Sequence, residues 1–221
     1  MRHTFPSAII NLYAMRPDRI PLFPLNVVLL PGADLPLHIF EPRYRKMVRD
    51  CLDNKSEFGM LLALSDGIAG TGCTAEILEV VKRYEDGRMD ILTVGRAPFR
   101  VVELFTDDPL LEGAVDYLDD RYSSTNPQTL KSLIELYEVC HTLIFGDYPR
   151  DISTPDGDDQ LSYIVASKLP MDLLWKQRIL ELRTEAERQE RLLAYLRDWA
   201  PHLQKVESQQ HRVAGNGSGL N

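Results

Sequence analysis

Few residues in this chain could do chemistry, and their spacing decides most cases. Glycines fall at Gly67, Gly70 and Gly72, but Cys73-Thr74 follow where a phosphate-cradling loop needs a lysine. Their order also departs from the dinucleotide pattern, so the stretch reads as a mobile loop between strands. Nucleophilic catalysis needs a serine or cysteine beside a base. Ser167-Lys168 and Cys140-His141 are adjacent pairs, and a helix points neighbouring residues in different directions. Neither Gly-x-Ser-x-Gly nor Ser-x-x-Lys occurs. His3, His38, His141, His202 and His211 form no His-x-x-x-His pair, and Cys-x-x-Cys is missing, so metal-ligand spacing fails. The acidic run Asp147, Asp151, Asp156, Asp158 and Asp159 lacks the EF-hand order and its closing glutamate, and reads as a solvated loop. His38 and Glu41 flank a strand-to-helix turn. Both types can move protons, but a hydrogen-bonded role at the turn, with Glu41 near the positive helix start, accounts for them more simply. The chain reads as non-enzymatic, with no cofactor and no metal.

The elements that must position these residues come in two kinds. Ile20 to Leu25 carries two prolines among apolar residues, which marks an edge or entry strand because proline lacks the ladder donor. Val27–Leu30 is a short apolar run stopped by Pro31-Gly32, and Leu35–Phe40 is a further extended piece. Pro42 suits the first position of a helix, and Tyr44, Met47, Val48, Cys51 and Leu52 then make one apolar face. From residue 58 to 120 the pattern is strand-like. Phe58–Leu64, Thr74–Val81, Met89–Val94, Phe99–Leu104 and Gly113–Leu118 alternate with turn signals, and Asp86-Gly87 marks a hairpin. About six strands in this pattern predict a small barrel or curled sheet.

Ser123–Pro127 is the one internal boundary, and helices follow. Asn126 caps the first, whose face is Leu130, Leu133, Ile134, Tyr137, Cys140 and Ile144. Leu161–Leu169 is the next, ended by Pro170, and Asp172 caps a third. Thr184 and Glu187 have capping-box spacing for a last helix through Leu192, Leu196, Trp199 and Leu203, which Pro201 should kink or shorten. This divides the chain into an N-terminal extension (1–18), a strand-rich part (19–122), a helical part (123–206) and a flexible tail (207–221).

The 221 residues fit one large domain or two small ones and can bury a core without staples. Lys and Arg number 25 against 33 Asp and Glu, a formal net charge of −8 shared by both halves without a basic stripe. Phosphate binding draws on clustered cations, so nucleic acid is disfavoured as a partner. Three separated cysteines, Cys51, Cys73 and Cys140, suit buried thiols in a reducing compartment. The first ten residues faintly resemble a signal peptide but are broken by Pro6 and Ser7, and no apolar run approaches a membrane span. These features predict a cytoplasmic protein without a membrane partner, with Met15 an alternative start.

The block Pro21-Leu22-Phe23-Pro24-Leu25-Asn26-Val27-Val28-Leu29-Leu30-Pro31-Gly32, continued by Leu35-Pro36-Leu37-His38-Ile39-Phe40-Glu41-Pro42-Arg43-Tyr44, strongly resembles the opening of the Lon protease N-terminal domain. Phe58-Gly59, Gly72–Ile77, Asp86-Gly87-Arg88 and Gly95–Val101 resemble later motifs in the family's order, although Pro98 stands where a basic residue is common. Leu169-Pro170-Met171 and Lys176-Gln177 match in the helical part. The resemblance covers about residues 19–205. It implies an α+β fold, a PUA-like β pseudo-barrel of about six strands plus one helix, followed by an α-helical bundle. It also implies capture of protein or peptide segments, without catalysis, because no Walker motif or Ser–Lys dyad accompanies it. A separate protease or ATPase is an alternative partner, and PUA-like RNA binding a weaker one. The proline-marked edge at Phe23, Pro24 and Leu25, with Tyr44 and Phe99 as aromatic contacts, is the expected peptide-binding surface. His38, Phe40, Glu41 and Arg43 are the family-motif turn.

Overall fold

The computed structural model describes residues 16–106, 109–149, 152 and 160–216, with side chains as far as residue 209. Strand periodicity becomes a six-stranded mixed sheet. Its members are β1 (Arg19–Leu25), β2 (Asp34–Ile39), β3 (Phe58–Leu64), β4 (Gly67–Arg83), β5 (Met89–Phe105) and β6 (Glu112–Tyr117), with α1 (Pro42–Asn54) between β2 and β3. The helices α2 (Pro127–Phe145), α3 (Leu161–Lys168), α4 (Leu173–Glu181) and α5 (Glu185–Asn216) follow. The sheet order is β2-β5-β4-β3-β1-β6, and β5 pairs with β6 as well, so the ladder through β1, β3, β4, β5 and β6 returns to its start. Only β1 and β3 run parallel; the other pairs are antiparallel.

Four expectations change. β1 is not an edge strand, because it lies between β3 and β6. Its prolines are tolerated because the ladder changes sides: Arg19–Pro21 pair with β6, and Leu22–Leu25 pair with β3. Each half has one neighbour, so a missing donor leaves little unmet. Val28, Leu29 and Leu30 are buried in a loop rather than a strand. The Gly67–Gly72 stretch is not an inter-strand loop but the first third of β4. Gly72 serves close approach there, since a Cβ would stand 2.2 Å from the Met60 carbonyl oxygen and 2.7 Å from Phe99. Finally, α5 is not shortened by Pro201 and carries on to Asn216. Half-buried Trp199 and Leu203 on either side pack against the core and hold the helix through the lost hydrogen bond.

The helix starts follow their sequence signals. Asn126 Oδ1 accepts from Gln128 N at 2.8 Å, and Asp172 Oδ1 accepts from Leu174 N and Trp175 N at 2.9 and 3.2 Å. Thr184 Oγ1 accepts from Glu187 N at 3.2 Å and donates to Glu187 Oε2 at 2.7 Å. The main core runs unbroken from Phe23, Tyr44 and Met47 to Leu133, Val165, Leu192 and Leu196, so sheet and helices share one interior. A second, smaller core of Ile20, Leu22, Leu61, Phe99 and Val115 sits between β1, β3, β5 and β6. Phe99 is fully buried there, and a Cβ on Gly59 or Gly72 would stand 2.7 Å from its ring. The two glycines clear the room that the ring fills, and the ring in turn fills the space between the strands.

Candidate functional site

The turn from β2 into α1 organises the surface around it. Glu41 and Arg43 pair at 2.8 Å, Arg43 Nη1 donates to the Pro109 carbonyl at 3.3 Å, and the guanidinium lies 4.6 Å over the Tyr44 ring. Tyr44 stacks on Phe23 with centroids 4.0 Å apart, and Phe23 tilts against Phe58. Arg43 thereby ties the start of α1 to the segment leading into β6, with a buried aromatic stack beneath it.

Between these two elements lies a cleft of about 470 Å³. Met47 and Cys51 of α1 form its floor, and Pro21, Pro42, Pro109 and Leu110 supply apolar walls. The charged groups at its rim already have partners: Lys46 meets Asp50 at 2.7 Å, Arg43 meets Glu41, and Glu112 meets Arg19 at 2.6 Å. Asn54 and Ser56 add uncharged polar groups, and a concave site of mixed lining with compensated charges suits neutral side chains better than ions.

On the far side of the turn, His38 Nδ1 and Asp90 Oδ1 are 2.5 Å apart, and Tyr84 OH donates to Asp90 Oδ2 at 2.8 Å. Hydrogen bonds from His38 and Tyr84 hold the Asp90 carboxyl below its ordinary value. Exposed Phe40 stacks beside His38 at 6.1 Å. His38 and Glu41 therefore belong to separate pairs. Among the described residues no serine or cysteine bonds to His38, so the dyad has an orienting carboxylate and no nucleophile.

The expected peptide-binding residues scatter. Phe23, Tyr44 and Phe99 are buried, Phe23 and Tyr44 in the main core and Phe99 in the smaller one. Pro24 and Leu25 are half-buried, with Leu25 packed against the main core. None of the five lines the cleft. Cys140 is buried, and burial pushes its thiol up to about 11. His141 beside it faces the Asp147 carbonyl at 3.2 Å, and the Ser167 hydroxyl donates to Ile164 O rather than to Lys168. Of the acidic run, Asp151, Asp156, Asp158 and Asp159 lie outside the described residues, as does the signal-like start. Among the described residues no group of three metal-ligating side chains gathers. Nor is any described helix long and apolar enough to cross a membrane.

One cluster had no signal in the sequence beyond an i,i+3 pair. Arg188 is fully buried and forks onto both Asp120 oxygens and Glu185, with Ser162 Oγ at 3.0 Å and the Tyr163 ring at 4.2 Å. Glu185 also accepts from Ser162 N, Ser162 Oγ and Gln189 Nε2. Asp120 belongs to the strand-to-helix connection, so the cluster fastens that connection to α3 and α5. Its charges are internally satisfied, and the arrangement is a junction rather than a binding site.

A mixed sheet followed by four helices, with a cleft between α1 and the segment entering β6, is the architecture of the described residues. Residues 19–198 match the family described as the ATP-dependent protease La (LON) substrate-binding domain, and the chain belongs to that family. It is 28% identical over 195 residues to a Lon protease of Parabacteroides distasonis, covering 81% of this chain and 24% of that protein. It thus spans about a quarter of the length of such relatives. The crystal structure of a Lon N-terminal domain protein from Xanthomonas campestris superposes with a TM-score of 0.63 at 29% identity, covering 80% of this chain and 98% of that one. The N-terminal domain of a Mycobacterium avium complex Lon protease shares the fold, with a TM-score of 0.57 at 16% identity and coverage of 83% and 98%.

Proposed function

We propose that this chain is a non-catalytic module that captures protein or peptide segments, and that the cleft between α1 and the segment entering β6 is where it does so. The observation that carries this reading is the cleft itself: about 470 Å³, with apolar walls from Pro21, Pro42, Pro109 and Leu110 beside polar groups, and with its rim charges already compensated. Membership of a substrate-binding family supports the class of partner. The ladder that returns on itself through β5 and β6 supports reading the sheet as the PUA-like pseudo-barrel that the sequence implies. Three buried, unpaired cysteines among the described residues support a cytoplasmic setting.

Binding of labelled unfolded-protein peptides to the full chain, measured by fluorescence anisotropy, tests the reading. Pro109→Glu and Leu110→Asp place a carboxylate in the cleft and should weaken binding at least tenfold while leaving the circular dichroism spectrum unchanged. Affinity indifferent to both substitutions would remove the cleft from the proposal. Co-purification of a protease or ATPase from cell extract would instead mark an adaptor.

A further inference from the structure

We propose that the outer half of β4 is where a second copy of this chain docks, edge to edge, in a two-fold antiparallel contact. β3 pairs with β4 only from Gly67 to Ala75. Beyond that point Glu76 to Arg83 pair with β5 on one side, and among the described residues no strand takes the other. This stretch therefore offers a row of unpaired backbone groups along an open edge. The edge at β2 is blunted by Pro36, which lacks a donor.

The ladder to β5 slips between Ile77 and Glu79 and again between Val80 and Lys82. Each slip inserts one residue with no partner opposite, Leu78 in the first and Val81 in the second. The bulges keep Ile77 and Val80 against the main core and leave Leu78 and Val81 47% and 62% exposed. Bulges at an edge deter pairing with an ordinary strand. These two, however, lie symmetrically about the Glu79–Val80 bond. A copy laid antiparallel sets Leu78 against the second copy's Val81, and Val81 against its Leu78, so that kink meets kink. An isologous contact requires this self-complementarity.

Charge obeys the same symmetry. Glu76 and Glu79 lie toward one end of the edge, Lys82 and Arg83 at the other. Antiparallel pairing puts the acidic end of each copy on the basic end of the other, with Glu76 opposite Arg83 and Glu79 diagonal to Lys82. Parallel pairing would set Glu on Glu and cation on cation, which rejects it. Among the described residues Glu79 makes no ion pair, and Arg83 bonds only the Met89 sulfur, at 3.6 Å. One strand edge is a small interface, so the dimer belongs to the transient class.

Sedimentation velocity on the full chain, from about 10 µM to about 1 mM, should show the weight-average mass rising from one chain toward two. Val81→Lys, at a position with no partner across the ladder, should weaken association about tenfold. Glu79→Lys and Lys82→Glu should each weaken it about tenfold alone, because each sets like charges across the axis twice. Mixed in equal amounts, those two variants should associate again, and the double variant should self-associate like the unsubstituted chain. Circular dichroism melting checks that every variant is folded. A chain monomeric at the highest concentration, a dimer indifferent to Val81→Lys, or charge variants that do not recover on mixing would each overturn the inference. Val81-dependent capture of a fluorescein-labelled Thr-Val repeat peptide by a chain that stays monomeric would overturn it as well, assigning the edge to a foreign strand. None of these outcomes bears on the cleft between α1 and the segment entering β6.

Discussion

Phe99→Ala is the substitution for which the structure sets the tightest expectation. The ring is fully buried in the small core with Ile20, Leu22, Leu61 and Val115, and its tip lies where a Cβ on Gly59 or Gly72 would come within 2.7 Å. Truncating a buried phenylalanine costs about 3–5 kcal/mol, depending on how far the site collapses. Collapse is restricted here. The strands around the ring are paired in a ladder that returns on itself, and the residues facing the ring tip are glycines with no side chain to move in. The cost should therefore fall in the upper half of that range, about 4–5 kcal/mol. With a urea slope of about 3 kcal/mol/M for a chain of this size, the midpoint drops by about 1.5 M. Urea titration followed by both circular dichroism and tryptophan fluorescence measures it, with coincident transitions checking two-state behaviour. A double-mutant cycle sharpens the test. The nearest atoms to a Cβ on Gly59 are side-chain atoms of Leu22, Phe99 and Ile20, so Phe99→Leu should relieve part of the cost of Gly59→Ala, giving a coupling of about 1–2 kcal/mol. A midpoint shift below about 0.5 M at unchanged slope, or additive effects of Gly59→Ala and Phe99→Leu, would refute the fit between ring and glycines.

Further expectations concern the junction and the thiols. Arg188→Met leaves Asp120 and Glu185 without their shared cation and should destabilise the chain by about 3–5 kcal/mol, read by urea titration. Hydrogen exchange should show the loss first at the amides of Ser162 and Arg121, which the cluster and its neighbours hold. Burial raises the folded-state values of Cys51, Cys73 and Cys140, and a raised acid stabilises the fold only while the unfolded thiol keeps its proton. Stability should hold below about pH 8.5 and decline above it as unfolded-state thiols ionise, with Cys73→Ala reducing the slope of melting temperature against pH. An aromatic disulfide reagent should label none of the three thiols in the native chain and all three in urea.

The local features were legible because each rests on neighbours in sequence. Asn126, Asp172 and the Thr184/Glu187 pair cap their helices by bonds that close within three residues. Pro42 begins α1, and Tyr44, Met47, Val48 and Cys51 bury the face their spacing marks. The motif block from Pro21 to Tyr44 also carried the family, which the match over residues 19–198 establishes.

What the sequence could not reveal depended on partners far along the chain. Prolines in β1 mark an edge only if a strand has the same neighbour along its length, and β1 changes neighbour at Leu22. Gly72 reads as a turn residue until the Met60 carbonyl and the Phe99 ring are placed against it. Phe23, Tyr44 and Phe99 have the composition of a binding surface and the position of a core, and burial alone separates the two. Pro109 and Leu110 carry no motif, yet they face α1 across the cleft because Arg43 reaches the Pro109 carbonyl from 66 residues away. Sequence by itself determined the starts of α1, α2, α4 and α5, through short-range hydrogen bonding and proline placement, and the family, through its motif block. Tertiary structure decided which apolar residues remain available to a partner, because exposure is set by what packs against a side chain.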